Sequence, residues 1–82
     1  MSKHPYHLYV ERIEPGRNML RYYSLSIEPT LFGETSLVRS WGRIGSRGLR
    51  MVHLFETERE AVGLFLKILR TKRGRGYRLK SP

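Results

Sequence analysis

The chain of 82 residues contains no cysteine and no aspartate. Without cysteine, disulfides and thiolate metal sites are excluded. Hydrolytic catalysis also has little support, because no histidine stands beside an evident nucleophile. The longest apolar run, residues 61–66, contains a glycine and is far shorter than the ~20 residues that a membrane span requires. The N-terminus has no hydrophobic stretch typical of a secretory signal, so we expect a cytoplasmic protein. Because catalytic residue types such as aspartate and cysteine are missing, we also expect a protein without enzymatic activity.

Positive charge is concentrated at the C-terminal end. The chain has 16 Lys and Arg residues against seven acids, all glutamate, for a formal net charge of +9. Residues 1–66 hold nine of the basic residues and all seven glutamates, whereas residues 67–82 hold seven basic residues and no acid. This distribution suits a polyanionic partner, although a basic tail can also serve solubility alone. Such charge predicts non-specific attraction rather than recognition of a sequence.

Four extended segments joined by short connections predict an antiparallel meander. They are rich in β-branched and aromatic residues and are separated by turn signals, such as Glu-Pro-Gly-Arg-Asn at 14–18 and the glycine-bracketed loop 45–48. The predicted strands are residues 7–13, 19–28, 36–44 and 49–55. Residues 76–79 are a candidate for a fifth strand.

One helix is predicted after these strands. Thr57 and Glu60 have the spacing of a capping box, in which each side chain accepts from the other residue's backbone N–H. The apolar residues of 61–69 fall within an arc of about 160° on a helical wheel, which is wide enough to cover a sheet face. Continuing the wheel would bring Lys72 into that arc. We therefore expect the helix to end near Thr71, with Gly74 as its cap.

These elements predict a single α+β domain over residues 1–82. Its architecture is an antiparallel β-sheet of about four to five strands with one packed α-helix near the C-terminus. Residues 1–6 and 80–82 are expected to be flexible, because they carry no pattern of their own.

Period-two alternation gives the third strand two chemically different faces. One carries Leu37, Arg39, Trp41 and Arg43, and the other carries Val38, Ser40, Gly42 and Ile44. Because burying unpaired guanidinium groups costs more than exposing an indole, we predict that the Val38 face packs on the helix. The exposed indole would stack on a base or sugar while the arginines hold phosphates. The alternative is that the single tryptophan is a core anchor.

The segment Arg-Ser-Trp-Gly-Arg-Ile-Gly at residues 39–45 resembles the signature of the WGR domain family. That domain occurs in the DNA-dependent poly(ADP-ribose) polymerases and in short bacterial proteins. Further marks are Asn18 shortly before a Tyr-Tyr pair, Leu-Phe-Gly at 31–33 and the basic segment 72–77. The resemblance extends over about residues 7–79. In the polymerases the domain binds DNA at strand breaks; for this chain the resemblance implies an antiparallel sheet with a packed helix, and DNA binding in general.

Carried over residue by residue, the resemblance implies stacking by Trp41, a phosphate or partner contact by Arg43 and a polar backbone contact by Asn18. Tyr77 stands where the polymerases often have tryptophan, and it joins the candidates. On electrostatic grounds we add further cations to the predicted nucleic-acid-binding residues. These are Arg39, Arg47, Arg50, Lys72, Arg73 and Arg75.

The sequence therefore predicts a non-catalytic nucleic-acid-binding module that binds the DNA backbone or DNA ends, associated with the nucleoid if the source is bacterial. RNA stays open as a target, because residues 73–78 resemble an arginine–glycine RNA-binding segment. The alternative is a protein-interaction adaptor that docks an acidic partner domain through the same face. We predict no cofactor, no membrane binding and no metal, since His4 and His7 lack the further ligands that zinc requires.

Overall fold

The computed structural model describes residues 6–80, which form a five-stranded antiparallel sheet and one helix. The predicted α+β class is confirmed. The strand order is β4-β3-β2-β1-β5, so the first four strands form a meander and the fifth pairs with the first. In chain order the elements are β1 (His7–Glu14), β2 (Met19–Pro29), β3 (Thr35–Arg43), β4 (Leu49–Phe55), α1 (Glu58–Gly74) and β5 (Arg78–Leu79).

Local chemistry fixes the two hairpin connections on either side of β2. After a 3-10 turn at Pro15–Arg17, Asn18 has a φ of 54°, a left-handed conformation that asparagine tolerates, and its N–H donates to the Pro15 carbonyl at 3.0 Å. In the loop after β2, the Thr30 hydroxyl accepts from the backbone N–H of Glu34 at 3.1 Å. These local hydrogen bonds, one within the backbone and one to a side chain, close the two connections.

The hydrophobic core lies between one face of the sheet and α1, which packs across β2, β3 and β4. Tyr6 joins it: its ring meets Phe65 edge-on at 5.9 Å, and its carbonyl accepts from the Ile27 N–H at 2.9 Å. Residues 1–5, 81 and 82 of the ends that we predicted to be flexible lie outside the described residues, and the flexibility of both ends stays a prediction. The core consists of Val10, Tyr23, Leu25, Ile27, Leu37, Ala61, Phe65, Ile68 and Tyr77.

The buried face of β3 is the opposite of the one predicted. Leu37 is fully buried, whereas Val38 is only partly buried. Cross-strand pairing places Leu37 opposite Ile27 and Trp41 opposite Tyr23, so the tryptophan shares the helix-side face. The prediction was wrong because it treated each face as uniform. The helix covers the Leu37 end of the face, so Arg39 is partly buried, and it leaves Arg43 at the other end exposed.

The capping box is confirmed, and the helix end is corrected. The Thr57 hydroxyl accepts from the Glu60 N–H at 3.2 Å, and the Glu60 carboxylate accepts from the Thr57 N–H at 3.3 Å. The helix continues through Lys72 and ends in a Schellman motif, with the Tyr77 N–H donating to the Lys72 carbonyl at 3.0 Å. Gly76, with φ 99°, supplies the left-handed residue that we assigned to Gly74.

The described helix does not have the length and apolarity needed to cross a membrane, and residues 6–80 contain no other α-helix.

Candidate nucleic-acid-binding groove

A groove of about 460 Å³ opens between the C-terminal half of α1 and strands β2 and β3. Its volume is in the range of ligand-binding clefts, ~300–1,000 Å³. Four of the nine lining residues are cationic and none is acidic, so the groove favours an anionic group. The lining residues are Tyr23, Arg39, Trp41, Leu64, Lys67, Ile68, Thr71, Lys72 and Arg75.

Trp41 forms the aromatic wall of this groove. Its indole is partly buried and stacks on the Tyr23 ring, with ring centres 5.7 Å apart and planes 12° apart. The Arg39 guanidinium carbon lies 5.3 Å from the centre of the indole. Trp41 thus combines the two alternatives weighed from the sequence, because it packs against the core and also lines an open cleft.

Lys72 places a cation over the same aromatic cluster. Its ammonium lies 4.4 Å from the centre of the Tyr23 ring and 5.5 Å from that of Tyr77, within the range of cation–π contacts. Burial lowers the pKa of Lys72, and the positive charges of Arg75, Arg39 and Arg21 lower it further. An anion bound in the groove would therefore stabilise the charged form of Lys72.

Arg39 carries a polar atom without a partner. Its Nε is buried and makes no hydrogen bond, while its terminal Nη2 lies 3.5 Å from the Met51 sulfur, a weak acceptor. Buried donors are normally satisfied, so an orphan N–H in a cationic groove marks a place where a ligand oxygen would be favourable.

The groove cations have no acidic neighbours in the described chain. The ion pairs within 4.0 Å among residues 6–80 join Glu14 to Arg12, at 2.8 Å, and to Arg17, at 3.9 Å. Both lie at the β1–β2 turn rather than in the groove. The positive potential of the groove is thus not neutralised from within the sheet-and-helix unit.

The Trp-Gly-Arg motif positions the groove wall through its glycine. A Cβ on Gly42 would lie 2.7 Å from the Gly48 Cα, so the loop after β3 can fold back only over a residue without a side chain. The Tyr22 hydroxyl donates to the Arg47 carbonyl at 2.6 Å and closes the loop. Gly48, with φ 68°, also abuts the Trp41 carbonyl. The motif therefore fixes the backbone conformation around Trp41.

Arg43 and Asn18, two residues singled out from the sequence, meet at the exposed edge of this region. An Arg43 Nη2 lies 3.5 Å from the Asn18 Oδ1, at the long limit of a hydrogen bond. Arg43 is exposed and is paired across the ladder with Arg21. Both side chains are accessible to a partner, but neither lines the groove.

The structure brings some of the predicted site residues together and separates others. Arg39, Trp41, Lys72 and Arg75 line the groove, whereas Arg73 lines a cleft on the other side of the helix. The side chain of Tyr77 is only 6% exposed, so it supports Lys72 from beneath and is not available for stacking on a base.

Arg47 and Arg50 lie outside the groove. Arg47 is at the exposed loop tip, and Arg50 is on the helix-free face, since it pairs with Ser40 rather than with Arg39 or Trp41. Both are exposed cations without a groove contact. Their proposed role in nucleic-acid binding is not tested by the fold.

Sequence reasoning missed Tyr23, Lys67 and Thr71 as lining residues. Lys67, Thr71 and Arg75 form an i, i+4, i+8 row along one helix face, a signal that was present in the sequence. Tyr23 would have been found by aligning the meander, because antiparallel pairing sets it opposite Trp41. Among residues 6–80, no group of three histidine or glutamate side chains is placed to hold a metal, and His4 lies outside that range.

Comparison with known proteins identifies the family of the chain. The chain is 62% identical over 78 residues to the uncharacterized protein y4dW of Sinorhizobium fredii (strain NBRC 101917 / NGR234). The match covers 95% of this chain and 38% of that relative, so the chain spans well under half of the relative's length. No solved structure matches. The family model of the WGR domain matches residues 6–82, and the chain therefore belongs to the WGR domain family.

Proposed function

We propose that the groove binds a terminal or unpaired nucleotide of DNA. Trp41 contacts the base or sugar, while Arg39 and Lys72 hold the adjacent phosphate. The observation that carries this proposal is the convergence of a partly open indole, a buried unpartnered guanidinium N–H and a partly buried ammonium in one cleft. Stacking of this kind contributes roughly 1–3 kcal/mol per base.

A terminal or unpaired nucleotide fits better than an intact duplex. Bases inside a duplex are stacked on both sides and must be extruded before a protein ring can contact them. The groove is a cleft with room for a small ligand, so it admits a single nucleotide rather than a double helix. Arg43, Arg47 and the cations of the C-terminal segment then contact the flanking backbone without sequence preference.

The family supports this assignment at a general level. WGR domains are non-catalytic and are related to nucleic-acid binding. We propose that this chain is a DNA-binding module without enzymatic activity and that it acts in the cytoplasm or at the nucleoid. RNA with an unpaired end offers the same base and phosphate, so it is the comparison ligand for every DNA measurement.

The first experiment uses the single tryptophan of the chain as a reporter of the groove. Short blunt, nicked and closed circular duplexes are titrated into the protein at several salt concentrations while indole fluorescence is followed. We expect quenching by ligands with ends or nicks, and a log–log salt slope of roughly 0.9 for each phosphate neutralised. Equal binding of closed circular and linear duplex, or affinity indifferent to salt, would contradict the proposal.

A matched pair of variants separates groove binding from general charge. Arg39→Gln and Arg50→Gln each remove one cation from neighbouring strands, but only Arg39 lines the groove. We expect Arg39→Gln to weaken binding of labelled DNA ends about tenfold or more, the loss of one charged hydrogen bond, and Arg50→Gln to weaken it far less. Equal losses would indicate that net charge alone drives binding.

The same assay addresses an adaptor function. An acidic protein surface is attracted by the same cations but brings no planar base to the indole. If the groove binds a nucleotide, we expect an acidic peptide to compete with DNA only at low salt and to leave the indole emission unchanged. A folded acidic partner that binds more tightly than any DNA or RNA would overturn the proposal.

A further inference from the structure

Strand β4 forms one edge of the sheet, and its outer side is not covered in the described chain. It is seven residues long, contains no proline, and carries Arg50 as its one Lys or Arg. Natural proteins usually protect such an edge with charges, prolines or bulges, because its free N–H and C=O groups accept another strand. Here the register with β3 is regular from end to end.

The direction of the free backbone groups follows from the ladder. The Ile44 N–H donates to the Leu20 carbonyl at 2.9 Å, so even-numbered residues of β3 bond to β2. Odd-numbered residues of β3 then bond to β4, and these are paired with its odd-numbered residues. The N–H and C=O groups of the even-numbered residues point outward. These are Arg50, Val52 and Leu54.

Four side chains of β4 are apolar and exposed, two on each face of the sheet. Val52 and Leu54, on the helix-free face, are 49% and 58% exposed, and Leu49 and Met51, on the helix side, are 64% and 44% exposed. Pairing with another strand would shield parts of all four from water. The edge therefore offers both backbone bonds and apolar contacts to an extended partner.

The charges around the two ends of β4 indicate which partner fits. Residues 44–50, which lead from β3 into the N-terminal end of β4, contain two arginines and no acid, whereas residues 56–60, after its C-terminal end, contain three glutamates and one arginine. An antiparallel copy of the same strand reverses these ends. The positive end of each β4 strand then lies beside the negative end of the other β4 strand. The charges of the two strands are therefore complementary about a two-fold axis.

We infer that β4 pairs antiparallel with the β4 of a second copy, about a two-fold axis at Val52, to form a continuous ten-stranded sheet. In this register Val52 lies opposite Val52 of the partner subunit, and Arg50 lies opposite the partner's Leu54, so only outward-pointing residues exchange hydrogen bonds. An axis perpendicular to the sheet places both helices on the same face. The two grooves then open on one side of the dimer.

A cysteine scan tests the register directly, because the chain has no cysteine of its own. In Val52→Cys, the paired residues lie about 5.5 Å apart between Cα atoms, within the disulfide range of ~4.4–6.8 Å. In the control Leu54→Cys, the two introduced residues lie about 14 Å apart, four residues along the strands. We expect a disulfide-linked dimer on oxidation of Val52→Cys and none with Leu54→Cys.

Sedimentation of the unmodified chain provides the second measurement. The area buried between the two β4 strands is small compared with the ~1,200–2,000 Å² of stable interfaces, so a range of high protein concentrations is needed. We expect the average mass to rise above 9.7 kDa, the mass of one copy, as concentration increases. Val52→Pro removes an outward donor and no bond to β3, so it should remain a folded monomer at every concentration.

Three outcomes would overturn the inference: a mass of one copy throughout, dimerisation that Val52→Pro leaves unchanged, or equal cross-linking of both cysteine variants. If circular dichroism shows that the proline variant is unfolded, the cysteine pair alone decides.

Discussion

The Lys72 ammonium lies over the face of the Tyr23 ring, 4.4 Å from its centre, at the junction of the helix and the sheet. Lys72 lines the groove together with Leu64 and Ile68, and a lysine side chain of this length can pack its aliphatic stem on apolar surface while its charge stays in the groove. This contact accounts for the continuation of the helix through a position at which the apolar pattern predicted its end.

Replacement of this charge tests whether it serves binding rather than folding. Lys72→Met keeps the stem, removes a cation–π contact of about 0.5–2 kcal/mol and relieves burial and repulsion of the charge. We expect the free energy of unfolding to change by less than about 1 kcal/mol, because these effects oppose each other. DNA affinity should fall, and its log–log salt slope should decrease by about 0.9. Denaturant titration and DNA binding measure the two effects.

The pH dependence of Lys72 gives a second prediction. Its pKa is lowered in the folded chain by burial and by neighbouring arginines, so the folded state disfavours the ammonium relative to the unfolded state. This penalty is present below the folded pKa and is relieved as pH rises toward the unfolded pKa, so the Lys72 contribution to stability increases over that window. A bound phosphate should raise the pKa, which NMR of the lysine side chain measures with and without oligonucleotide.

The matching control is Lys72→Arg, whose guanidinium does not titrate in this range. In the parent chain, DNA affinity should decline as pH rises through the lowered pKa of Lys72. In Lys72→Arg this decline should be reduced. The same pH profile in both proteins would show that Lys72 does not contact the anion.

The glycine of the Trp-Gly-Arg motif should be needed for stability. In Gly42→Ala the new Cβ would meet the Gly48 backbone at 2.7 Å, so the loop must shift. We expect a loss of about 1–3 kcal/mol in the free energy of unfolding, the usual cost of overpacking. Gly63→Ala is the control, because its Cβ meets nothing within 4 Å and it lies in the helix. It should stabilise the fold by about 0.5–1 kcal/mol.

Two arginines near the end of the helix should differ in their effect on binding. Arg75 lines the groove, whereas Arg73 lines clefts on the other side of α1. Arg75→Gln should therefore weaken binding to DNA ends more than Arg73→Gln, although the change in net charge is the same. Anisotropy of labelled duplex at one fixed salt concentration compares them. A larger loss for Arg73→Gln would place the DNA on the opposite side of the helix.

Much of the fold was predictable because its signals are short in range. The predicted bounds of β4 agree with the structure, those of β1, β2 and β3 differ by one residue at one or both ends, and the candidate fifth strand is two residues shorter than predicted. The capping box at Thr57 determined where the helix begins. Such signals depend on residues within a few positions of one another, so they are independent of how the sheet and helix finally pack.

The groove was only partly predictable. Trp41, Arg39, Lys72 and Arg75 were identified by motif or charge, but Tyr77 was expected to bind and is buried. Its position depends on β5 returning to pair with β1, a contact between residues that are far apart in the chain. Charge alone also did not distinguish Arg39 from Arg50, since the face on which each lies is set by strand pairing.

The sequence by itself determined the elements, their order, the positive C-terminal segment and membership of a family. Only the tertiary structure decided which face of β3 is covered, because that depends on where a helix of 17 residues lies across strands whose apolar partners sit in β2. A single strand cannot specify this, since the free energy of burying one face is the sum over all the strands that share it. For this reason Trp41 lies beside the helix and still faces an open groove.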